Sequence, residues 1–404
     1  MKLWQKVLLG LALGVFLGIY LKEDTVYLKP LGDIFIRLIK MIIVPLIFFA
    51  IVGGIVNAQN PKILGRVGTK ASIAYLITTC FAAIIGLTIA TIFKPGEGIT
   101  LNFDSNLTPK QEATSIAKIM EMILEIIPDN AIGAMAQGTV LQVVFFAIFT
   151  AITINKLDEK PAKKIGEIIQ LSSTVVFKMV NLIIQLSPLA ACCLTAWVIG
   201  TQGIDVLKNL GKLVACAYLA FAIQYIFFGI MIYLWTGLSP KPFFKKSYEY
   251  QALAFSTSSS KAALPTTIKV CQEKLGISNF SSSFVLPLGA SINMDGIAIY
   301  ITICALFFAQ ATGKVLGFTD YSLIIFTGTL GSIGGAGIPG GTIVMLPMVL
   351  GAVGLPIEGI ALIAGIDRIV DMMRTTISIT GDAAVTLCLD SSEKLLNKDI
   401  YNKG

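Results

Sequence analysis

The residues best suited to binding chemistry lie in two apolar stretches of the second half of the chain. In the first stretch, residues 289 to 308, Asp295 is the only carboxylate and Asn293 lies two positions before it. The second stretch, residues 357 to 389, carries seven polar side chains of interest: Asp367, Arg368, Asp371, Arg374, Thr375, Ser378 and Asp382. Ionisable groups inside apolar segments of membrane-spanning length are costly, so they mark candidate functional sites.

A polar stripe follows if the second stretch is helical. At 100° per residue, one narrow face of the helix holds Asp367, Asp371, Arg374, Ser378 and Asp382. Because a guanidinium pairs with a carboxylate and a carboxylate pairs with an ammonium, Asp371 and Arg374 together suit a zwitterion, with or without a second carboxylate. The simpler alternative is that these two side chains, three residues apart, neutralise each other.

Two carboxylates, Asp295 and Asp382, remain as candidate cation ligands. Asn293 adds an amide oxygen, and Gly289 and Gly296 permit a local unwinding that would free backbone carbonyls. Hard oxygen ligands without His or Cys suit Na⁺ better than a transition metal. The alternative is that Asp295 is a buried, hydrogen-bonded structural group.

The composition is that of an integral membrane protein. Of 404 residues, 55% are apolar and 14% are charged, and the mean hydropathy is +0.80. The absence of histidine excludes triads with a His base and zinc sites with His ligands. The net charge of +7 comes mostly from short loops beside apolar segments, so it indicates topology and not nucleic-acid binding. The seven cysteines show no CxxC spacing, so neither a metal cluster nor a disulfide framework is expected.

Six apolar runs predict membrane-spanning helices. They cover residues 5–21, 34–56, 71–93, 138–155, 166–200 and 211–238. The fifth run is long enough to contain a tilt or break near Ser187-Pro188. The first run is expected to be a retained helix, because no small-residue cleavage site follows it. The excess of Lys and Arg in alternate loops places the N-terminus in the cytoplasm, and residues 95–137 are interpreted as an outside connector.

Two polar clusters interrupt the second half at intervals too short for ordinary spans. The first runs from Ser256 to Pro265 and is rich in serine, and the second runs from Gly331 to Gly341 and is rich in glycine. Irregular backbone at membrane depth is tolerated only beside protein or a water-filled cavity. Paired interruptions of this kind predict two re-entrant hairpins and an inverted-repeat transporter. The alternatives are a pair of loops outside the membrane, or an ion channel whose filter is the glycine cluster.

Four separated motifs carry a family resemblance. They are the Ser-rich cluster ending in Leu264-Pro265, Asn293-Met294-Asp295-Gly296, Gly337-Ile338-Pro339-Gly340, and Asp371-Met372-Met373-Arg374-Thr375 followed by Thr380-Gly381-Asp382. With these motifs the chain resembles the dicarboxylate/amino acid:cation symporter family over essentially its whole length. The resemblance implies a sodium-coupled carrier of acidic amino acids that works by alternating access, and not an enzyme.

The architecture implied by the resemblance is an all-α integral membrane protein with eight transmembrane helices, two re-entrant helical hairpins and inverted repeats. Residues 1–70 and 121–200 would form a trimerisation scaffold. Residues 71–94 and 208–389 would form a mobile transport domain, with hairpins at about 242–275 and 320–355, and residues 390–404 would be a cytoplasmic tail. The expected assembly is a homotrimer in the plasma membrane with the N-terminus in the cytoplasm.

The resemblance also implies roles for individual residues. Arg374 would hold the substrate's side-chain carboxylate and Asp371 its amino group, and the pocket would be completed by Thr375, Ser378, Ser259, Ser260, Ile338 and Gly340. Three sodium sites are implied. The first would use Gly289, Asn293, Ser378 and Asp382. The second would use Tyr75, Thr78, Thr79, Asn293 and Asp295. The third would use backbone of Ser291, Met294, Ser332, Ile333 and Gly335.

Several departures from the family pattern keep the substrate open. Ile297 stands where many members have a threonine, Ser378 replaces a common asparagine, Met373 replaces a small residue, and Lys261 lies in the first cluster. These changes leave C4-dicarboxylates, cystine and neutral amino acids as alternatives. The glutamate that proton-coupled relatives place shortly after the Asn-Met-Asp-Gly motif is absent, since Ile301 follows Tyr300. Sodium coupling is therefore expected, with proton coupling as the alternative.

Overall fold

Helices account for most of the protein. The computed structural model describes residues 3–56, 64–99, 124, 127–203, 205–334, 340–357 and 360–403, and no β-strand occurs among them. Within those ranges three stretches are long and apolar enough to cross a membrane: Arg66–Phe93, Leu207–Thr236 and Asn279–Ala311. The prediction of an all-α protein is confirmed.

The first half of the chain forms eight described helices. They are α1 (Leu3–Leu21), α2 (Lys29–Val56), α3 (Leu64–Phe93), α4 (Ala131–Gln137), α5 (Val140–Asn155), α6 (Glu159–Ile184), α7 (Ser187–Gln202) and α8 (Asp205–Thr236). A 3₁₀ helix, Lys22–Tyr27, follows α1. Each predicted apolar run contains helix. The predicted break in the fifth run falls between α6 and α7, where Pro188 in the first turn of α7 cannot donate a backbone hydrogen bond to the preceding turn.

The second half forms mostly shorter helices and one long helix, α15 (Ile360–Ser392). They are α9 (Lys241–Thr257), α10 (Ser260–Glu273), α11 (Asn279–Ile292), α12 (Asp295–Ala311), α13 (Phe318–Gly334), α14 (Gly341–Ala352), α15 (Ile360–Ser392) and α16 (Lys398–Asn402). α9 packs against α10, and α13 packs against α14, at the positions of the two predicted hairpins. Ser258, in the left-handed conformation with φ 51°, ends α9, and the Ser259 side chain accepts a hydrogen bond from the Ala262 amide to cap α10. Re-entry of the α9/α10 and α13/α14 pairs into the membrane stays a prediction.

The centre of the molecule is α12. Every residue from Asp295 to Ala309 is buried, and α12 contacts α3, α8, α13, α14 and α15. Because its residues are buried on all faces, α12 packs inside the protein and does not face lipid. The side chains of the Asn293-Met294-Asp295 region are therefore enclosed by other helices.

A glycine stripe joins α1 to α7. A Cβ built on Gly10 would lie 2.3 Å from the Pro188 carbonyl oxygen, and one built on Gly14 would lie 2.5 Å from the Cys192 carbonyl oxygen. Gly18 continues the stripe at the same four-residue spacing. Small residues at this spacing let two membrane helices approach closely. The resulting van der Waals contacts stabilise the pair, because within lipid no hydrophobic effect drives helices together. α1, α2, α5, α6 and α7 form most of their contacts within this group.

The last residues of the chain are docked against α9 and α10. Tyr401 is fully buried, and its hydroxyl donates to the Ser239 carbonyl oxygen at 2.8 Å. The Lys246 ammonium donates to the carbonyls of Lys274, Ile400 and Tyr401. Burial raises the pKa of Tyr401 to about 12. The predicted tail thus includes a packed helix, and its cytoplasmic position stays a prediction.

Candidate functional site

A break between two helices places the central polar residues. α11 ends at Ile292 and α12 begins at Asp295, with Asn293 in an extended conformation at φ −104° and ψ 96°. Both Asn293 and Asp295 are fully buried. Because the backbone leaves the helix at this point, the two side chains are directed by the break and not by helical spacing alone.

Oxygen atoms from three helical segments cluster at this break. The Thr79 hydroxyl lies 2.8 Å from Asp295 Oδ1 and 3.0 Å from Asn293 Oδ1. A hydroxyl has one hydrogen and cannot donate to both acceptors at once. Thr78 lies 3.3 Å from the same Asn293 oxygen and donates to the Tyr75 carbonyl at 3.0 Å. The resulting set is rich in acceptors and fits a hard cation.

A second carboxylate lies beside this cluster. Asp382 Oδ1 accepts a hydrogen bond from Asn293 Nδ2 at 2.9 Å, whereas its buried Oδ2 has no partner in the described residues. A Cβ on Gly289 would lie 2.6 Å from both Asp382 Oδ1 and Tyr75 Oη. Only glycine therefore fits between the tyrosine and the carboxylate. No group of three or more His, Cys, Asp or Glu residues is found in the described ranges, so a transition-metal cluster has no support there.

The charged pair of α15 is closed on itself. Asp371 and Arg374 are almost fully buried, at 1% and 2% exposure, and the Arg374 guanidinium bonds to Asp371 Oδ1. Asp371 Oδ2 accepts from Arg368 Nη1 at 3.1 Å and from the Gly340 amide at 3.2 Å. Arg374 also bonds to Thr342 Oγ1 at 2.9 Å, while its Nε has no partner among the described residues. The pair therefore links α15 to the start of α14.

The other predicted substrate residues have mixed surroundings. Thr375 and Ser378 donate to carbonyls of their own helix, and Ser378 Oγ also accepts from the Gly296 amide at 3.1 Å. Ser260 Oγ is buried without a partner in the described region, and Ser259 caps α10. Ile338 lies outside the described residues.

The third predicted sodium set consists of backbone groups, which the side-chain hydrogen bonds of the described residues do not test. The hydroxyl of Ser291 donates to the Pro287 carbonyl, and that of Ser332 donates to the Thr329 carbonyl, each within its own helix. Gly335 lies outside the described residues. This set stays a prediction.

Comparisons with known proteins identify the family. The model of the sodium:dicarboxylate symporter family matches residues 3–392. The chain belongs to this family. It is 34% identical to the proton/sodium-glutamate symport protein of Bacillus subtilis, over 97% of this chain and 93% of that protein. It is also 34% identical to the C4-dicarboxylate transport protein of Edwardsiella ictaluri, over 99% of this chain and 95% of that protein.

The family match establishes a cation-coupled membrane transporter, not an enzyme. It confirms the expected family and the expectation of symport.

Two residues of the candidate site, Gln224 and Thr342, were not predicted from the sequence, and a third, Gly381, was named only as part of a motif. Gln224 on α8 bonds to Asp295, Thr342 on α14 bonds to Arg374, and Gly381 on α15 leaves room for Asp295, whose Oδ2 would lie 2.8 Å from a Cβ at that position. A signal existed for Gln224, because it is an isolated amide within an apolar run. Thr342 carries no comparable signal, since hydroxyls are frequent in this half of the chain, and Gly381 was named within the Thr380-Gly381-Asp382 motif without a role.

Proposed function

We propose that the symporter takes up acidic amino acids, glutamate or aspartate, together with sodium ions. The observation that carries the proposal is the buried Asp371/Arg374 pair, which presents one negative and one positive group on a single face of α15. An acidic amino acid offers an ammonium for Asp371 and a side-chain carboxylate for Arg374. Binding would exchange the internal pair for two charge-assisted contacts with the substrate.

A C4-dicarboxylate is the second candidate. One relative of equal identity is named a C4-dicarboxylate transport protein, and Arg374 suits its carboxylate as well. A dicarboxylate carries no ammonium, so it would leave the buried Asp371 facing a like charge. Asp371 therefore favours the amino acid.

Sodium is favoured as the coupling ion by the donor set around Asn293. Asp295, Asp382 and Asn293 supply hard oxygens with no nitrogen or sulfur ligand of the kind that transition metals prefer. Two acceptors compete for the single Thr79 hydrogen, and Asp382 Oδ2 has no partner in the described chain. A bound monovalent cation would satisfy these oxygens, and Tyr75, Thr78 and Gly289 line the same region.

The remaining roles follow the family pattern. Thr375, Ser378 and the backbone of both hairpin tips, at Ser259, Ser260, Ile338 and Gly340, would complete the substrate pocket. Ser291, Ser332 and Gly335 would contribute a third sodium site. The helices around α12 would move as a transport domain against a scaffold formed by α1, α2, α5, α6 and α7. The protein would be a homotrimer in the plasma membrane, with its N-terminus in the cytoplasm.

Uptake by proteoliposomes tests substrate and coupling together. We expect labelled aspartate and glutamate to accumulate when an inward sodium gradient is applied, and succinate to accumulate less. Equal accumulation with potassium replacing sodium would refute sodium coupling. Accumulation driven by an inward proton gradient alone would favour the proton-coupled alternative, and succinate uptake above aspartate uptake would favour the C4-dicarboxylate.

Substitution Arg374→Ala tests the substrate contact. Removing one partner of a buried, hydrogen-bonded charge pair costs about 2–5 kcal/mol, so aspartate affinity should fall by about 30-fold or more. Serine or alanine uptake should fall less, because neutral amino acids have no side-chain carboxylate. Arg66→Ala is the control, since that side chain is 74% exposed and pairs with Glu393. Unchanged aspartate affinity in Arg374→Ala would remove Arg374 from the site.

A further inference from the structure

Gln224 on α8 has a buried side-chain amide, and only its NH₂ group has a hydrogen-bond partner among the described residues. Its side chain is fully buried, and Nε2 donates to Asp295 Oδ2 at 3.3 Å. The amide oxygen Oε1 is buried and has no hydrogen-bond partner in the described parts of the chain. The only side-chain hydrogen bond found for Gln224 within those parts is therefore the one to a candidate cation ligand.

The orientation of this amide is set by charge. Turning the amide over would bring Oε1, which can only accept, against an acceptor-only carboxylate oxygen. The NH₂ group must therefore face Asp295, and Oε1 must be left unsatisfied. A buried acceptor without a donor destabilises the folded protein, whereas an apolar side chain of the same size would avoid that cost. The amide is instead explained by the hydrogen bond that its NH₂ group donates to the buried Asp295 carboxylate.

Gln224 completes the support of the Asp295 carboxylate. Thr79 on α3 contacts Oδ1 at 2.8 Å, and Gln224 on α8 contacts Oδ2. On the side of α15, Gly381 leaves room for Oδ2, because a Cβ there would lie 2.8 Å away. The carboxylate is thus held at both oxygens by two different helices.

We propose that Gln224 is a positioning residue for the coupling cation. By holding Asp295 Oδ2, it keeps Oδ1 turned toward the Thr79 and Asn293 oxygens that receive the cation. The inference rests on the proposed sodium coupling, and it assigns to α8 a part in cation binding that the sequence motifs do not include.

The test is the sodium dependence of thermal unfolding in Gln224→Leu, measured on full-length purified protein in detergent without substrate. The midpoint sodium concentration for stabilisation should rise at least about tenfold, which corresponds to about 1.4 kcal/mol. Without sodium, the melting temperature should stay close to that of the wild type, because the gain from removing the unsatisfied Oε1 is offset by the loss of the donor to Asp295 Oδ2. The sodium concentration that gives half-maximal aspartate uptake in proteoliposomes should rise by the same factor.

Gln251→Leu is the matched control. Gln251 also donates through Nε2, to Tyr225 Oη and Thr380 Oγ1, each at 3.0 Å, and neither is a proposed cation ligand. Its sodium midpoint should match that of the wild type. If Gln224→Leu does not fold, Gln224→Asn is used, because its shorter side chain keeps an amide but cannot reach Asp295, and the same shift is expected.

The outcomes separate the two proposals. A wild type that sodium does not stabilise refutes the proposed function, and the inference falls with it. A wild type that sodium stabilises, together with a Gln224 variant whose midpoint moves less than about threefold, overturns the inference alone. An equal shift in Gln251→Leu also overturns it, because the effect would then be a general consequence of losing a hydrogen-bonded amide between helices.

Discussion

The substitution Gly289→Ala adds one methyl group to the candidate cation site and keeps every proposed ligand. The new Cβ would lie 2.6 Å from Asp382 Oδ1 and from Tyr75 Oη, about 0.8 Å short of the 3.4 Å at which ordinary contact begins. Asp382 and Tyr75 are both 1% exposed, and the Asp382 oxygen is held by Asn293. The clash must therefore be relieved by displacing groups inside the site.

Gly289→Ala changes both the stability of the protein and the distances around the candidate cation. Alanine in place of glycine favours a helix by about 0.5–1 kcal/mol, whereas forcing an extra carbon into a packed core costs about 1–3 kcal/mol, so the net loss of global stability is about 0–2.5 kcal/mol. Metal–ligand distances are held to within about 0.2 Å, and a displacement of about 0.8 Å exceeds that tolerance several-fold. We expect sodium affinity to fall at least about tenfold, or about 1.4 kcal/mol.

The assay is sodium-dependent aspartate uptake in proteoliposomes, paired with sodium-dependent thermal unfolding. Gly211→Ala on α8 is the control, because a Cβ there has no neighbour within 4 Å. It should leave the sodium midpoint unchanged and slightly raise the melting temperature. Sodium midpoints that coincide for Gly289→Ala, Gly211→Ala and the wild type would show that Asp382 is not a cation ligand in this geometry.

Two further predictions concern packing and are checked by thermal unfolding in detergent. Tyr401→Ala should destabilise the protein by about 3–5 kcal/mol, because it empties a fully buried aromatic position. The control Tyr27→Ala, at an 82% exposed position, should have little effect. Equal losses of stability in the two variants would contradict the docking of α16. Gly14→Leu should lower the melting temperature and the yield of folded protein, since even a Cβ would lie 2.5 Å from the Cys192 carbonyl oxygen. Leu13→Ala, at a 49% exposed neighbour, is its control, and a normal melting temperature for Gly14→Leu would refute the close packing of α1 on α7.

Local patterns were sufficient to predict the helices and several site residues. Each of the six predicted apolar runs contains helix, and the break beside Pro188 was predicted because proline acts within one turn. Asp295, Asp382, Asp371 and Arg374 were selected because ionisable groups are costly in apolar segments. All four are buried in the structure.

Contacts between distant segments could not be predicted from spacing or hydropathy. Tyr401 reads as part of a polar tail, yet it is fully buried against Ser239, 162 residues earlier in the chain. The family resemblance suggested Thr79 beside Asn293, but nothing local connects residues 214 positions apart. The bond from Gln224 to Asp295 was missed altogether, because an isolated glutamine in an apolar run does not indicate its partner.

The sequence by itself therefore determined the class of protein, the apolar helical runs, and the charged groups within them that mark candidate functional sites. Tertiary structure alone decided that the Asp371/Arg374 pair meets Gly340 and Thr342, that Thr79 and Gln224 hold the two oxygens of Asp295, and that Gly289 and Gly381 leave room for carboxylates. The reason is physical. Hydropathy and helical periodicity act over a few turns of one segment, whereas the partner of a buried polar group is chosen by how separate helices pack around it.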